Sequence, residues 1–338
     1  MHTLLLPAGD DAISQAAGLL RQGQVVAFPT ETVYGLGADA LNEDAVRAIF
    51  AAKERPADNP LIVHVAEAGQ LDGLCIVTDA ARALMRAFWP GPLTLLMKKT
   101  DRVPAVTTAG LPTVAVRCPS HPAAQQLLRA CRLPIAAPSA NRSGRPSPTT
   151  ARHVYEDMQG RIPLILDGGP CQVGVESTVL DLSGDVPCVL RPGAVTPEAI
   201  AAAVGQCAVA SSVMRPLREG ESAPSPGMKH RHYAPRAPMT VLVGSDQNVI
   251  REMIRRYDAA ENAVILCRGS LLPAFGGRRA YSLGDTPAET AQVLFRRLRE
   301  MDELGVSRIL AQGWEAKGEG LAVMNRMARA AAFDIVEV

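Results

Sequence analysis

Val25-Val26-Ala27-Phe28-Pro29-Thr30-Glu31-Thr32-Val33-Tyr34-Gly35-Leu36-Gly37 decides how the chain is read. Four apolar residues run straight into proline, too few for a helix and right for a buried strand. The run ends in hydroxyls, one carboxylate and two glycines. Those residues serve a turn that caps a following helix. They equally serve a pocket in which hydroxyls orient a small polar ligand and glycines admit close backbone approach. The pattern recurs along the chain. Leu61–Val65, Leu93–Met97, Thr113–Val116, Pro134–Ala136, Leu164–Leu166 and Thr178–Leu182 also read as strands. Between them Asp11–Gln22, Glu43–Ala52, Asp79–Phe88, His121–Cys131 and Thr149–Met158 carry helical patterns, with Ser120 the expected N-cap of the fourth. The expectation is an α/β fold with a twisted mixed sheet flanked by helices.

Ser211–Pro238 is different: rich in proline, without apolar period, and read as a linker. Within it Lys229-His230-Arg231-His232-Tyr233 crowds charge and an aromatic into five positions. From Met239 the alternation resumes. Thr240–Val243, Ala263–Cys267 and Arg308–Ala311 read as strands, and Thr286–Asp302 and Gly320–Ala332 as helices. Thr286-Pro287-Ala288-Glu289 has the makings of a capping box with proline in the first turn. The expected division is 1–210, a linker over 211–238, and a smaller Rossmann-like α/β domain over 239–338.

Composition narrows the functions. The 338 residues include 47% hydrophobic ones, enough for a real core. Lys plus Arg number 35 against 34 Asp plus Glu, so bulk charge does not drive nucleic-acid binding. With 2 Trp, 5 Tyr and 6 Phe, few rings are on hand to stack bases. The 7 cysteines are odd in number and form no CxxC, which predicts reduced thiols in a cytoplasmic protein. Nothing near His230 and His232 completes a zinc set, and metal ligands are left unassigned. MHTLLLPAGDD lacks a basic leader region, and the longest mild apolar stretch, Ala199–Met214, is too short to span a bilayer. No membrane association is expected.

The chain has no GxSxG, P-loop, HExxH or strand-borne GxGxxG. It has cations and hydroxyls at loops and strand ends instead: Lys53 and Arg55 in KERPADNP, Arg117 after Thr113–Val116, Arg191 in LRPG, and Thr32, Ser139, Asn141 and Ser177. In an α/β sheet, strand ends line the ligand crevice. Each cation also has a plainer reading, as a solvated charge or a partner of a helix dipole, and His64, alone in an apolar strand, reads first as a satisfied core histidine. Taken together, without a Cys or Ser nucleophile, they suit binding and positioning a polyanion, as nucleotidyl transfer requires.

PTETVYGLG (29–37), KERPADNPLIVH (53–64), PGPLT (90–94), VAVRCP (114–119), APSANRSG (137–144), ESTVLDL (176–182) and LRPG (190–193) together resemble the YrdC-type catalytic domain of L-threonylcarbamoyladenylate synthases. SPGMKHRHYAP (225–235), followed by a further α/β domain, resembles the long, two-domain form. The resemblance implies a nucleotidyltransferase joining L-threonine, bicarbonate or CO2, and ATP with Mg2+ into L-threonylcarbamoyl-AMP and pyrophosphate. Separate proteins then use the product to modify adenosine 37 of tRNA, so direct tRNA binding is expected to be weak or absent. By motif position it implies Thr32, His64, Arg117 and Ser177 for threonine, and Arg55, Asn59, Thr113, Ala137, Ser139, Ser147, Arg191 and Tyr233 for ATP. It places Lys53 on the phosphates and gives Lys53, Arg55, Arg117 and Arg191 the catalytic charge. The charged, aromatic cluster inside the proline-rich linker makes 211–238 the expected lid over labile intermediates. Two rivals stand beside the resemblance: an RNA-binding module, and a carbamoyltransferase component.

Overall fold

Strands that pair on both edges and are covered on both faces must be apolar nearly throughout, and these are. Val26–Phe28, Ile62–His64 and Leu93–Lys98 are buried over almost their whole length. The computed structural model describes residues 1–215 and 233–338. In it eleven strands form one mixed sheet. From edge to edge they are Leu4–Pro7, Leu164–Asp167, Val26–Phe28, Gly35–Asp39, Ile135–Ala136, Ile62–His64, Thr113–Arg117, Leu93–Lys98, Thr178–Asp181, Cys188–Arg191 and Ala208–Val209. Helices cover both faces of it, giving the twisted α/β layers expected. Five parallel strands form the second sheet, in the order Ala280–Ser282, Ala263–Cys267, Arg308–Gln312, Met239–Val243 and Ile335–Glu337. Helix Pro287–Glu303 opens with the full capping box: Thr286 accepts from the Glu289 N–H, and the Glu289 carboxylate accepts from the Thr286 N–H.

Some local expectations need correction. Gly35-Leu36-Gly37 is no turn; it starts strand Gly35–Asp39, antiparallel to Val26–Phe28. Glycine hides the strand in the sequence, but packing demands it: a Cβ on Gly37 would lie 2.7 Å from the Phe28 ring and from Ile135. His121, not Ser120, caps helix Pro122–Cys131, its Nδ1 accepting from the Ala123 N–H at 3.2 Å. Most of the expected linker and lid, residues 216–232, lies outside the described residues.

Registers bring the site together. His64 stands beside Arg117 on one side, and Thr94 stands beside Arg117 on the other. Leu93 in turn pairs with Thr178, next to Ser177. In-register neighbours project from the same face. A histidine, an arginine and hydroxyls from four strands therefore meet at one place.

The second sheet and its helices are packed onto the first domain. Val33 and Val175 of the first domain share one apolar cluster with Phe295, Leu298 and Val323 of the second. Gly174 has φ +81, and a Cβ there would lie 2.4 Å from the Ala291 carbonyl oxygen, so only glycine permits this approach. Arg299, from helix Pro287–Glu303, donates to Asp157 Oδ2 and to the Pro146 carbonyl, each at 2.6 Å. Both side chains are essentially sealed from water. Removing one partner of such a pair strands the other charge. Asp157→Ala is expected to cost about 3–5 kcal/mol of stability, measured by urea unfolding. A loss under about 1 kcal/mol would mean water reaches Arg299 freely.

Candidate functional site

The cavity is built from strand ends and the loops that follow them, and spans about 670 Å3 with the open solvent at its mouth included. Among its lining are Thr32, Arg55, His64, Arg117, Ala137, Ser139, Ser147, Ser177, Arg191 and Tyr233. The three arginines that sequence spread over 137 positions thus share one wall system.

Arg117 ends its strand 3% exposed, so its guanidinium must find partners in the protein. Nη1 donates to Thr32 Oγ1 at 2.8 Å and Nε to the Gly91 carbonyl at 3.3 Å. Nη2 lies 2.8 Å from Glu31 Oε1. Burial pushes the Glu31 carboxyl up, but the Arg117 charge, helped by backbone N–H groups, leaves it below the usual carboxylate range. A guanidinium has five N–H bonds, and hydrogen bonds to Thr32 and Gly91 take two. Nη2 meets Glu31 as an ion pair but has no hydrogen-bond partner among the described residues, so donors remain open for a carboxylate. Thr32 is itself fixed by Thr30, at 2.9 Å between hydroxyl oxygens. His64 is buried beside them, with Nδ1 3.2 Å from the Ile62 carbonyl, so Nδ1 carries the proton. Burial and the neighbouring Arg117 charge push its pKa down to about 3, and the ring is neutral at working pH.

The other half of the cavity is richer in donors. Ser177 Oγ lies 2.7 Å from Thr94 Oγ1 and accepts from Arg191 Nη2 at 3.2 Å. Arg191 Nε also donates to the Ser177 carbonyl at 3.1 Å. Arg55 follows a sharp helix stop, where Glu54 takes φ +53 and the Arg55 N–H returns to Phe50 O. Its Nε and Nη2 are buried and have no partner among the described residues. Both amide atoms of the wholly buried Asn59 are likewise unpartnered there. Buried polar atoms left open beside a cavity are where a polar ligand would bond. Tyr233, at φ +63, closes one side, its ring stacked on Phe295 at 5.0 Å.

Three expected residues do not line the cavity. Lys53 is a correction: its ammonium is buried and donates to the Ser139 and Asn141 carbonyls, so it braces that loop instead of facing phosphate. Burial, then the Arg55 charge, draws its pKa down to about 7. Thr113 opens the strand that Arg117 ends, four residues away. Asn59 sits just behind Pro60, which does line the wall. Sequence reasoning passed over Glu31, Thr94, Arg145 and Glu176. Arg145 lines the cavity and pairs with Asp157. Glu176 lines it too, with Oε1 accepting from Ser147 Oγ and Oε2 from Arg326 Nε. Glu31 and Glu176 stand inside quoted motifs, but nothing in the sequence shows which cation each meets.

Comparison with known proteins adds independent findings. A family model described as "Telomere recombination" matches residues 18–193. A second, described as the C-terminal domain of threonylcarbamoyl-AMP synthase, matches 195–332. A threonylcarbamoyl-AMP synthase of Pyrococcus abyssi is 48% identical over 96% of this chain and 95% of that protein. That of Bacillus subtilis is 47% identical over 96% and 94%. The crystal structure of P. abyssi Sua5 complexed with L-threonine superposes with a TM-score of 0.92 at 46% identity, covering 100% of this chain and 99% of that one.

Burial of a neutral His64 has a consequence for stability. The unfolded ring protonates below its ordinary pKa of about 6.5, while the folded ring resists down to about 3. The unfolded state then binds more protons, so His64 makes stability fall as pH drops through that window. His64→Gln should flatten the decline between about pH 6.5 and 4, measured by urea unfolding at stepped pH. Parallel curves for the two proteins would show that the ring protonates in place.

Proposed function

The chain belongs to the threonylcarbamoyl-AMP synthase family, and from that premise we propose how its cavity serves the reaction. The enzyme is a nucleotidyltransferase with ATP as a substrate. L-threonine, CO2 and ATP give L-threonylcarbamoyl-AMP and pyrophosphate, for the threonylcarbamoyl modification of tRNA. The observation that carries the reading is the pairing of two unlike halves in one cavity. Arg117, with donors still open, lines the cavity with Thr32 and His64, and Arg55, Ser139, Ser147 and Arg191 line the same cavity. The first half suits an amino-acid carboxylate and a small side chain. The second suits a triphosphate.

The chemistry needs no protein nucleophile. The deprotonated amine of threonine adds to CO2 and, losing a proton to water, forms a carbamate. A carbamate oxygen attacks the α-phosphorus of ATP, the bond to the β-phosphate oxygen breaks, and pyrophosphate leaves with that electron pair. What the protein must do is hold two anions together against their repulsion. Arg117 takes the carboxylate, Thr32 and Ser177 are neutral partners for carboxylate and amine, and neutral His64 closes the pocket near the side chain. Arg55 and Arg191 set positive charge against the phosphates, with Ser139, Ser147 and Tyr233 around the nucleotide and the Ala137 backbone against it. Lys53, Asn59 and Thr113 serve from behind the wall.

The described residues hold no group of three or more Asp, Glu, His or Cys suited to a metal. Among the described residues the carboxylate that lines the cavity, Glu176, is already taken by Ser147 and Arg326. Mg2+ favours phosphate oxygens and waters, and would come to this site on the ATP phosphates. Among the described residues no helix is long and apolar enough to cross a membrane.

The direct test is chromatography of the chain with ATP, bicarbonate and each amino acid in turn. Threonine alone of the common amino acids should give the adenylate and pyrophosphate efficiently. Serine, lacking one methyl, should be a poor but detectable substrate, about 10–200-fold down in kcat/KM. Nucleotide turnover indifferent to threonine would sink the reading. Arg117→Lys keeps the charge and loses the fork, and should raise the KM for threonine by about tenfold or more. An unchanged KM would take Arg117 away from the carboxylate.

A further inference from the structure

Arg326 belongs to the second domain, on helix Gly318–Ala330, yet it is 0% exposed against the first domain's cavity wall. Nε donates to Glu176 Oε2 at 2.8 Å, Nη2 to the Glu176 carbonyl at 3.2 Å, and Nη1 to the Pro192 carbonyl at 2.9 Å. Nη1 also donates to Asn325 Oδ1 at 2.8 Å. Two of the residues it holds are the chain neighbours of Ser177 and Arg191. Glu176 passes the contact on, because its other oxygen accepts from Ser147 in the nucleotide half. The guanidinium also lies 5.8 Å from the centre of the Tyr233 ring. One second-domain side chain is thus in contact with three separate segments of the site.

The charge arithmetic makes the contact more than a buttress. Burial pushes the Glu176 carboxyl up, but the charges of Arg326 and then Arg191, with hydrogen bonds from Ser147 and Arg326, hold it below the usual range. Without Arg326 the carboxylate would keep Arg191 as its remaining buried cation among the described residues, and would compete with phosphate for it.

We propose that Arg326 is a positioning residue of the nucleotide site, acting through Glu176 to fix Ser147 and to hold the wall that carries Arg191. The second domain is then part of the active site. This rests on the reading of that wall as the nucleotide half. The threonine half, formed by Thr32, His64, Arg117 and Ser177, receives no hydrogen bond from Arg326, although Glu176, which Arg326 holds, is the chain neighbour of Ser177.

The experiment compares the full chain with Arg326→Met and Arg326→Lys. Calorimetric titration with a non-hydrolysable ATP analogue and, separately, with L-threonine is run beside steady-state kinetics and thermal melting. The expected result for Arg326→Met is an ATP KM and analogue Kd about tenfold or more above wild type, with the threonine Kd within about threefold. Arg326→Lys, which keeps the charge, should fall between. Adding Glu176→Gln to Arg326→Met should recover part of the loss, because the stranded anion is gone. An analogue Kd within about twofold of wild type in a folded Arg326→Met protein overturns the proposal. So does equal loss of both ligands with a lowered melting point, the mark of a buttress. Should Arg326→Met fail to fold, Arg326→Lys decides by the same split. A wild-type chain that binds the analogue but makes no adenylate would count against the functional reading alone.

Discussion

A guanidinium buried at the end of a strand has to be held on every side, and Arg117 is the constraint around which the site forms. Its three contacts come from two segments: the loop after Val26–Phe28 through Thr32 and Glu31, and the residues just before Leu93–Lys98 through Gly91. Withdraw Glu31 and the Arg117 charge would sit unbalanced in a low-dielectric interior. Glu31 cancels most of that cost without exhausting the guanidinium's donors. The pair is therefore a stored binding site: neutral overall, fixed in direction, and still able to take a carboxylate.

The same economy recurs at Glu176 and Asp157. Arg145 and Arg191 are cavity cations with a buried carboxylate close by. Each of those carboxylates has a second arginine on it, from the other domain: Arg299 on Asp157 and Arg326 on Glu176. A wall made only of cations would repel itself, and a one-to-one pairing of every cation would leave little for a polyanionic ligand. Two arginines per carboxylate solve both difficulties, leaving excess positive charge while each buried anion stays compensated.

Much of this was legible in the sequence, and for a definite reason. Strand ends carrying Arg117 and Arg191, and loops such as KERPADNP and APSANRSG, advertise themselves because polar residues follow short apolar runs. The alternation of those runs with helical patterns gave the α/β layers. Gly35–Asp39 stayed hidden because its glycines answer to the Phe28 ring, a neighbour in space that local pattern does not reveal. Lys53 misled in a different way. Its place in a Lys-x-Arg pair suggests a common target, but the helix ends between the two residues, and the chain turns through Glu54 so that Lys53 points inward and Arg55 toward the cavity.

Arg299 and Arg326 were invisible for the opposite reason. Arg299 sits in a long helix among charged residues, where an arginine is ordinarily part of the solvated face, and Arg326 sits among Val, Met and Ala, where nothing local names a partner for it. Only the docking of the second domain turns those faces inward, and that docking depends on Gly174 admitting a helix backbone and on Val33 and Val175 leaving one core to join another. The division of labour between the domains is thus not catalysis on one side and support on the other. The first domain supplies the groups that would touch substrate. The second supplies the counter-charges that let those groups be buried and still remain cationic overall. A site that must bring a carbamate against a triphosphate requires that condition, and strand ends alone, with carboxylates already among them, do not meet it.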